Sequence, residues 1–258
     1  MAFSGAFIKP FRPAFDAGLA AAGNGLLNNL VAYWPLNEAA GANDALDLHT
    51  NGLTLTQAGS PGSEAGKIGT ARTFVAASNQ AFYRIDDPYL STGDIDFSFA
   101  AWVKLGDKTS SHAIVSKLKI VDGQGSYQLI YNQALDRFRF VVSSDGTSVS
   151  GVNADNLGSP SAGAWYYVVA WHDAAGNTIN IQVNDGTINS ASYSSGVYDG
   201  TSGFLIAAQP GAGGGEVSGN FMTGNIDEVA FWKAVLSATQ RTSLYNAGAG
   251  LAYAAFTT

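Results

Sequence analysis

Apolar and polar residues alternate in short bursts along most of this chain. In NTINIQVNDG, Ile179, Ile181 and Val183 fall on one side and Asn180 and Gln182 on the other, with Asp185 and Gly186 supplying a hairpin turn. DRFRFVVSSDG sets Phe138 and Phe140 against Arg137 and Arg139, and FSFAAWVKL puts Phe97, Phe99, Ala101 and Val103 on one face. WYYVVAW is apolar on both faces, as a central strand covered on both sides must be. Such bursts recur roughly every 8 to 15 residues between clusters of Gly, Asn, Asp and Ser, the spacing of an all-β sandwich or barrel. One short C-terminal helix is expected. SATQ, Ser237 to Gln240, reads as a capping box, with Leu244 packing and Asn246 and Gly248 closing the helix.

Composition excludes several kinds of function. The 258 residues include no cysteine, which removes disulfides, zinc-thiolate sites and cysteine nucleophiles. A net charge of −7 argues against nucleic-acid binding, which needs a basic face. No apolar run approaches the ~18 residues of a membrane span. Near the N-terminus, Pro10 and Pro13 interrupt any signal-peptide core and Lys9 and Arg12 fall inside it, so no signal peptide is expected.

Catalytic patterns are also missing, and no enzyme is expected. The sequence has no GxSxG elbow, HExxH pair or P-loop. Glu38, Glu64, Glu216 and Glu228 are isolated from one another, and Asp94 and Asp96 sit at a strand entry where aspartate commonly caps a turn. His49, His112 and His172 lack metal-ligand spacing, and His172 reads as a structural histidine. Sugar recognition would instead use aromatic faces, for which Tyr83, Tyr89, Tyr193 and Tyr198, in loops or at strand edges, are the candidates. The glycine-rich stretch 208–220 reads as a hairpin excursion.

LVAYWPLNEAAGANDALDLHTNGLTL, FSFAAWVKL, AIVSKL, GSYQLIYN, RFRFVVS, AWYYVVAWHD, INIQVNDG and MTGNIDEVAFWKAVLSATQ follow one another in an order that resembles the laminin G-like, concanavalin A-like jelly roll. The resemblance spans about residues 29 to 247. It implies a two-sheet antiparallel β-sandwich, with an N-terminal arm over residues 1–28, the jelly roll over 29–250 and a tail over 251–258. It further implies a calcium site at Glu38 in WPLNE, Asp47 in LDLHTNG and Asp227 in GNIDEV, completed by backbone carbonyls of the 47–52 turn. The loop usually written D-x-S-G-N-G stands here as DLHTNG, with His49 and Thr50 at positions where small residues are usual. The other reading of Glu38 and Asp227 is that they accept backbone N–H bonds between the first and last strands. Hydrolases of this fold carry a pattern close to E-x-D-x-x-E, which nothing here matches.

The arm, GAFIKPFRPAFDAG at 5–18, is expected to be extended. Burying Phe7, Ile8, Phe11 and Phe15 stabilises by on the order of 6–12 kcal/mol. Ordering about a dozen residues costs roughly 1–2 kcal/mol each, so the two terms nearly cancel: the arm either folds back over a sheet edge of its own sandwich or, the preferred reading, inserts into a partner or neighbouring subunit. With Arg12, these side chains form the expected docking peptide. FRPAFD resembles N-termini of tailed-phage structural proteins. The expectation is a virion component, assembled in the host cytoplasm as a homo-oligomer. Its arm anchors it to capsid or tail proteins, and its sandwich is displayed toward a cell-surface glycan. The alternatives are a soluble calcium-dependent carbohydrate-binding or adhesion module and, less favoured, a polysaccharide hydrolase.

Overall fold

The computed structural model describes residues 23–211 and 217–258. In chain order its strands are β1 (Leu30–Trp34), β2 (Thr56–Ala58), β3 (Gly62–Ala65), β4 (Thr70–Phe74), β5 (Ala81–Arg84), β6 (Phe97–Leu105), β7 (His112–Lys117), β8 (Tyr127–Asn132) and β9 (Arg137–Val142). They continue with β10 (Ser150–Asn153), β11 (Trp165–Asp173), β12 (Thr178–Val183), β13 (Asn189–Ser192), β14 (Phe204–Ile206), β15 (Gln209–Pro210), β16 (Val217–Gly219) and β17 (Gly224–Trp232). The α-helix α1 (Ala238–Tyr245) follows.

Two antiparallel sheets form the sandwich. The eight-stranded sheet runs β13-β12-β11-β6-β17-β4-β3, with β1 also paired to β17; the seven-stranded sheet runs β10-β9-β8-β7-β14-β5-β2. The period-2 pattern decides which side chains meet between them. Phe97, Phe99, Ala101 and Val103 face Phe138, Phe140 and Val142 in one shared core, joined by Ile179, Ile181 and Val183. Arg137 and Arg139 take the opposite face of β9, as alternation requires. The β12 turn is displaced from the expected Asp185-Gly186: the left-handed residues are Asn184 and Asp185, at φ 52° and 54°.

The two-sided apolarity of β11 has a structural cause. Its other face, with Tyr167, Val169 and Trp171, joins Trp102 and Trp232 in a second apolar layer outside the sandwich. Helix α1 lies over this layer through Leu244, and the chain's last residues lie over it through Phe256. The capping box is present: the Ser237 hydroxyl accepts from the Gln240 N–H, the Gln240 side chain accepts from the Ser237 N–H, and Asn246 closes the helix in the left-handed region. On the outer face of the seven-stranded sheet, Ala81, Leu205 and Ala208 pack against Tyr83, Val217 and Phe221 beside the β15–β16 pairing.

The two ends of the described chain meet. The Asn24 N–H donates to Thr257 Oγ1 at 2.7 Å, the Thr257 N–H donates to Asn24 Oδ1 at 2.9 Å, and the Leu27 N–H donates to the Thr257 carbonyl at 3.0 Å. Leu26 is fully buried, and its carbonyl accepts the Trp232 indole N–H at 2.9 Å. Residues 23–28, at the end of the stretch expected as an arm, therefore lie on the domain.

Candidate functional site

Strand β17 has two different neighbours along one edge. Residues 224–226 pair with β4, and residues 229–232 pair with β1. Between them the pairing of β17 with β6 slips, between Asp227 and Ala230. The extra residue is Glu228, held at φ 52°, a left-handed conformation that is costly for a long side chain. Asp227 Oδ2 accepts the Lys67 and Ile68 N–H groups at 2.7 and 3.0 Å, which docks the β3–β4 turn into the gap.

Glu228 belongs to the outer layer. With Tyr33, Trp102 and Tyr167 it borders a space of about 10 Å³, the scale of one water. Its Oε2 is buried without a hydrogen-bond partner, and so are the hydroxyls of Tyr33 and Tyr167. Burial pushes the Glu228 carboxyl up to about 8. Asp227 is also raised by burial, to about 7, against the opposing pull of the Ile68 and Lys67 N–H groups.

Beside Glu228 opens a hollow of about 230 Å³, lined by Tyr33, Asn37, Leu48, Ile68 and Tyr253 among others. The Tyr33 and Tyr253 rings are 4.9 Å apart and tilted by 35°. The Tyr253 hydroxyl lies 3.1 Å from His49 Nδ1, and the Lys67 ammonium stands 4.5 Å over the Trp102 ring. A mostly carbon lining with one aromatic pair and a few polar groups suits a small ring that has an apolar face and hydroxyl edges.

A second hollow, of about 170 Å³, is lined by Asn156, Leu157, Asn184, Thr187 and Asn189. It contains no aromatic ring. The Asn156 N–H donates to Asn189 Oδ1 at 3.1 Å, and Asn156 Nδ2 donates to the Ile188 carbonyl, so these amides already serve the loops.

The residues expected for calcium are placed otherwise. Asp47 Oδ1 accepts the Tyr33 and His49 N–H groups, and Oδ2 accepts that of Leu53, all within 2.9 Å. Glu38 Oε1 accepts the Leu46 N–H at 2.8 Å. With Asp227 these carboxylates tie loops to strands, and the described residues contain no group of three His, Asp or Glu able to hold a metal ion. The chain's own N–H groups take up both Asp47 oxygens, Glu38 Oε1 and Asp227 Oδ2, whereas Glu38 Oε2 and Asp227 Oδ1 are buried without a hydrogen-bond partner.

The four tyrosines occupy different environments. Tyr193 is a core residue, 7% exposed, whose hydroxyl donates to the Gly196 carbonyl at 2.8 Å and whose ring packs edge-on to His172. It is not a free aromatic face, because the chain leaving β13 turns its ring into the sandwich core. Tyr83 is half-buried in β5, Tyr198 is half-buried in a loop, and Tyr89 is exposed. His172 is buried, with Nδ1 3.0 Å from the Ile95 carbonyl, and Asp96 Oδ1 accepts the Ala174 N–H, both structural roles. Phe7, Ile8, Phe11, Arg12 and Phe15 lie outside the described residues.

Sequence reasoning missed Tyr33, Glu228 and Tyr253. Tyr33 and Glu228 lie inside motifs already singled out, LVAYWPLNE and NIDEV. Tyr253 lies in a tail without periodicity.

Among the described residues no helix is long and apolar enough to cross a membrane. No curated protein matches the chain. Solved structures do. Domain 4 of AbnA, a GH43 extracellular arabinanase from Geobacillus stearothermophilus solved with arabinotriose, superposes with a TM-score of 0.60 at 16% identity, over 83% of this chain and 97% of that one. The binding domain of Paraclostridial Mosquitocidal Protein 1 gives 0.64 at 12% identity, over 86% and 53%. The botulinum neurotoxin serotype D ligand binding domain, in complex with N-acetylneuraminic acid, gives 0.60 at 12%, over 86% and 52%. This chain spans about half the length of the two toxin domains. These likenesses show the two-sheet sandwich fold. A family model matches residues 77–240, more than half of the sequence, and the chain accordingly belongs to the Laminin_G_3 family of the concanavalin A-like lectin/glucanases superfamily.

Proposed function

We propose that this sandwich is a non-enzymatic attachment module that holds a saccharide in the hollow between Tyr33, Tyr253 and Glu228. The observation that carries the reading is the half-buried Tyr253 ring, backed by the buried Tyr33, in a hollow that Asn37 and Glu228 also line. A pyranose or furanose ring has a carbon-rich face that stacks on tyrosine and hydroxyls that pair with carboxyl and amide groups. Structural neighbours solved with arabinotriose and with N-acetylneuraminic acid support the ligand class.

The test is a glycan array followed by calorimetric titration of the best ligand. Saturable binding is expected, weakened about tenfold, or 1.4 kcal/mol, by Tyr253→Ala. A ligand whose affinity is indifferent to Tyr253→Ala places the site elsewhere, and an array without any saturable binding defeats the saccharide reading.

The finer proposal is that the module is part of a virion, carried as a homo-oligomer and anchored to capsid or tail proteins by its N-terminal stretch. Its support is the FRPAFD resemblance and the position of Asn24, where that stretch joins the domain beside Thr257.

A further inference from the structure

Arg72 lies in β4 within the eight-stranded sheet and is fully buried. Its guanidinium is surrounded by backbone oxygens. Nη1 donates to the carbonyls of Glu38 at 3.0 Å and Ala39 at 2.6 Å, and Nη2 donates to those of Gly41 at 3.2 Å and Pro61 at 2.8 Å. One face of the guanidinium lies 5.2 Å from the Phe82 ring. The surrounding loop is shaped to deliver these oxygens. Gly41 sits at φ 106°, its N–H donates to the Pro61 carbonyl at 3.0 Å, and Asn43 braces the Gly41 and Ala39 carbonyls.

We infer that these four carbonyls form a cation site whose resident cation is the chain's own Arg72 guanidinium. A converging set of carbonyl oxygens is the donor set of a hard metal ion. Here a planar fork fills it, matching two oxygens to each Nη, a geometry that a point charge cannot reproduce. Glu38, expected as a metal ligand through its side chain, contributes its backbone oxygen to this tethered cation. The inference is independent of the saccharide reading.

Chemical rescue in the full chain tests it. Arg72→Ala is expected to lower the melting temperature by roughly 10 °C, because four carbonyls lose their buried donor. Millimolar methylguanidinium should restore at least half of that loss without affecting the wild type. Methylammonium should restore none. Restoration by calcium rather than methylguanidinium would make the cage a metal site and overturn the inference, as would no restoration by either. Should Arg72→Ala not fold, Arg72→Lys decides: a variant melting well below wild type upholds the planar fork, and one melting with it defeats the fork.

Discussion

Burial governs the behaviour of Glu228, and the sign of its pH effect follows. The carboxyl titrates at about 8 in the folded chain, against an ordinary value of 4.5. The folded state thus holds this proton more tightly than the unfolded chain does. That advantage is complete below about pH 4.5 and is lost as pH rises through about 8. Glu228→Gln stays neutral throughout, so it should melt with the wild type near pH 4.5 and above it near pH 8.5. The gap at the upper pH should reach at least about 1 kcal/mol, measured by urea unfolding at both values. A gap that does not grow with pH would mean the carboxyl is ionised in the folded protein. Asp227, raised in the same direction, leaves a residual slope in the variant. Residue identity also contained a readable sign of this site. In GNIDEVAFW, strict alternation from Ile226 would send Glu228 to the core and Val229 outward. Ile226, Val229 and Phe231 are all core residues, so an extra residue has to be absorbed between 226 and 229. A carboxylate at an alternation-core position marked the bulge.

Elements with regular periodicity were legible, and those without it were not. The strands at 97–105, 137–142 and 178–183 follow their period-2 patterns, and the capping box at Ser237 fixed the start of α1. The apolar outer face of β11 likewise required a covering layer. The tail could not be assigned to that layer, because LAYAAFTT repeats at neither 2 nor 3.6 residues. Yet Tyr253 and Phe256 pack on Tyr33, and Phe256 is 6% exposed. Deleting residues 251–258 should destabilise the domain by about 3 kcal/mol, on the order of one buried aromatic plus its neighbours. The same deletion should weaken saccharide binding by at least the tenfold expected of Tyr253→Ala, since it also removes Ala252 and Ala254 from the lining. Unchanged thermal melting of the truncated chain would show that the tail is not part of the cover.

Across the whole molecule, the sandwich was readable because many weak motifs in order constrain one another, whereas the site depends on contacts far apart in sequence. Tyr33 meets Tyr253, and Asp227 meets Lys67, through loops whose course alternation does not specify. The roles of the motif carboxylates were hidden for the same reason: Asp47 and Asp227 accept N–H groups from Leu53 and Lys67, in loops that alternation does not specify. The virion proposal is also tested on the whole chain, and the packing of Leu26 sets where to cut. Deleting residues 1–22 should abolish co-sedimentation with capsid or tail proteins in lysate. Normal incorporation without these residues would defeat the anchor.

The clasp between Asn24 and Thr257 brings the two ends of the described chain side by side. A host chain that lends one surface loop could therefore accept the whole sandwich as an insert, entering and leaving through the same doorway, with no need to span the domain.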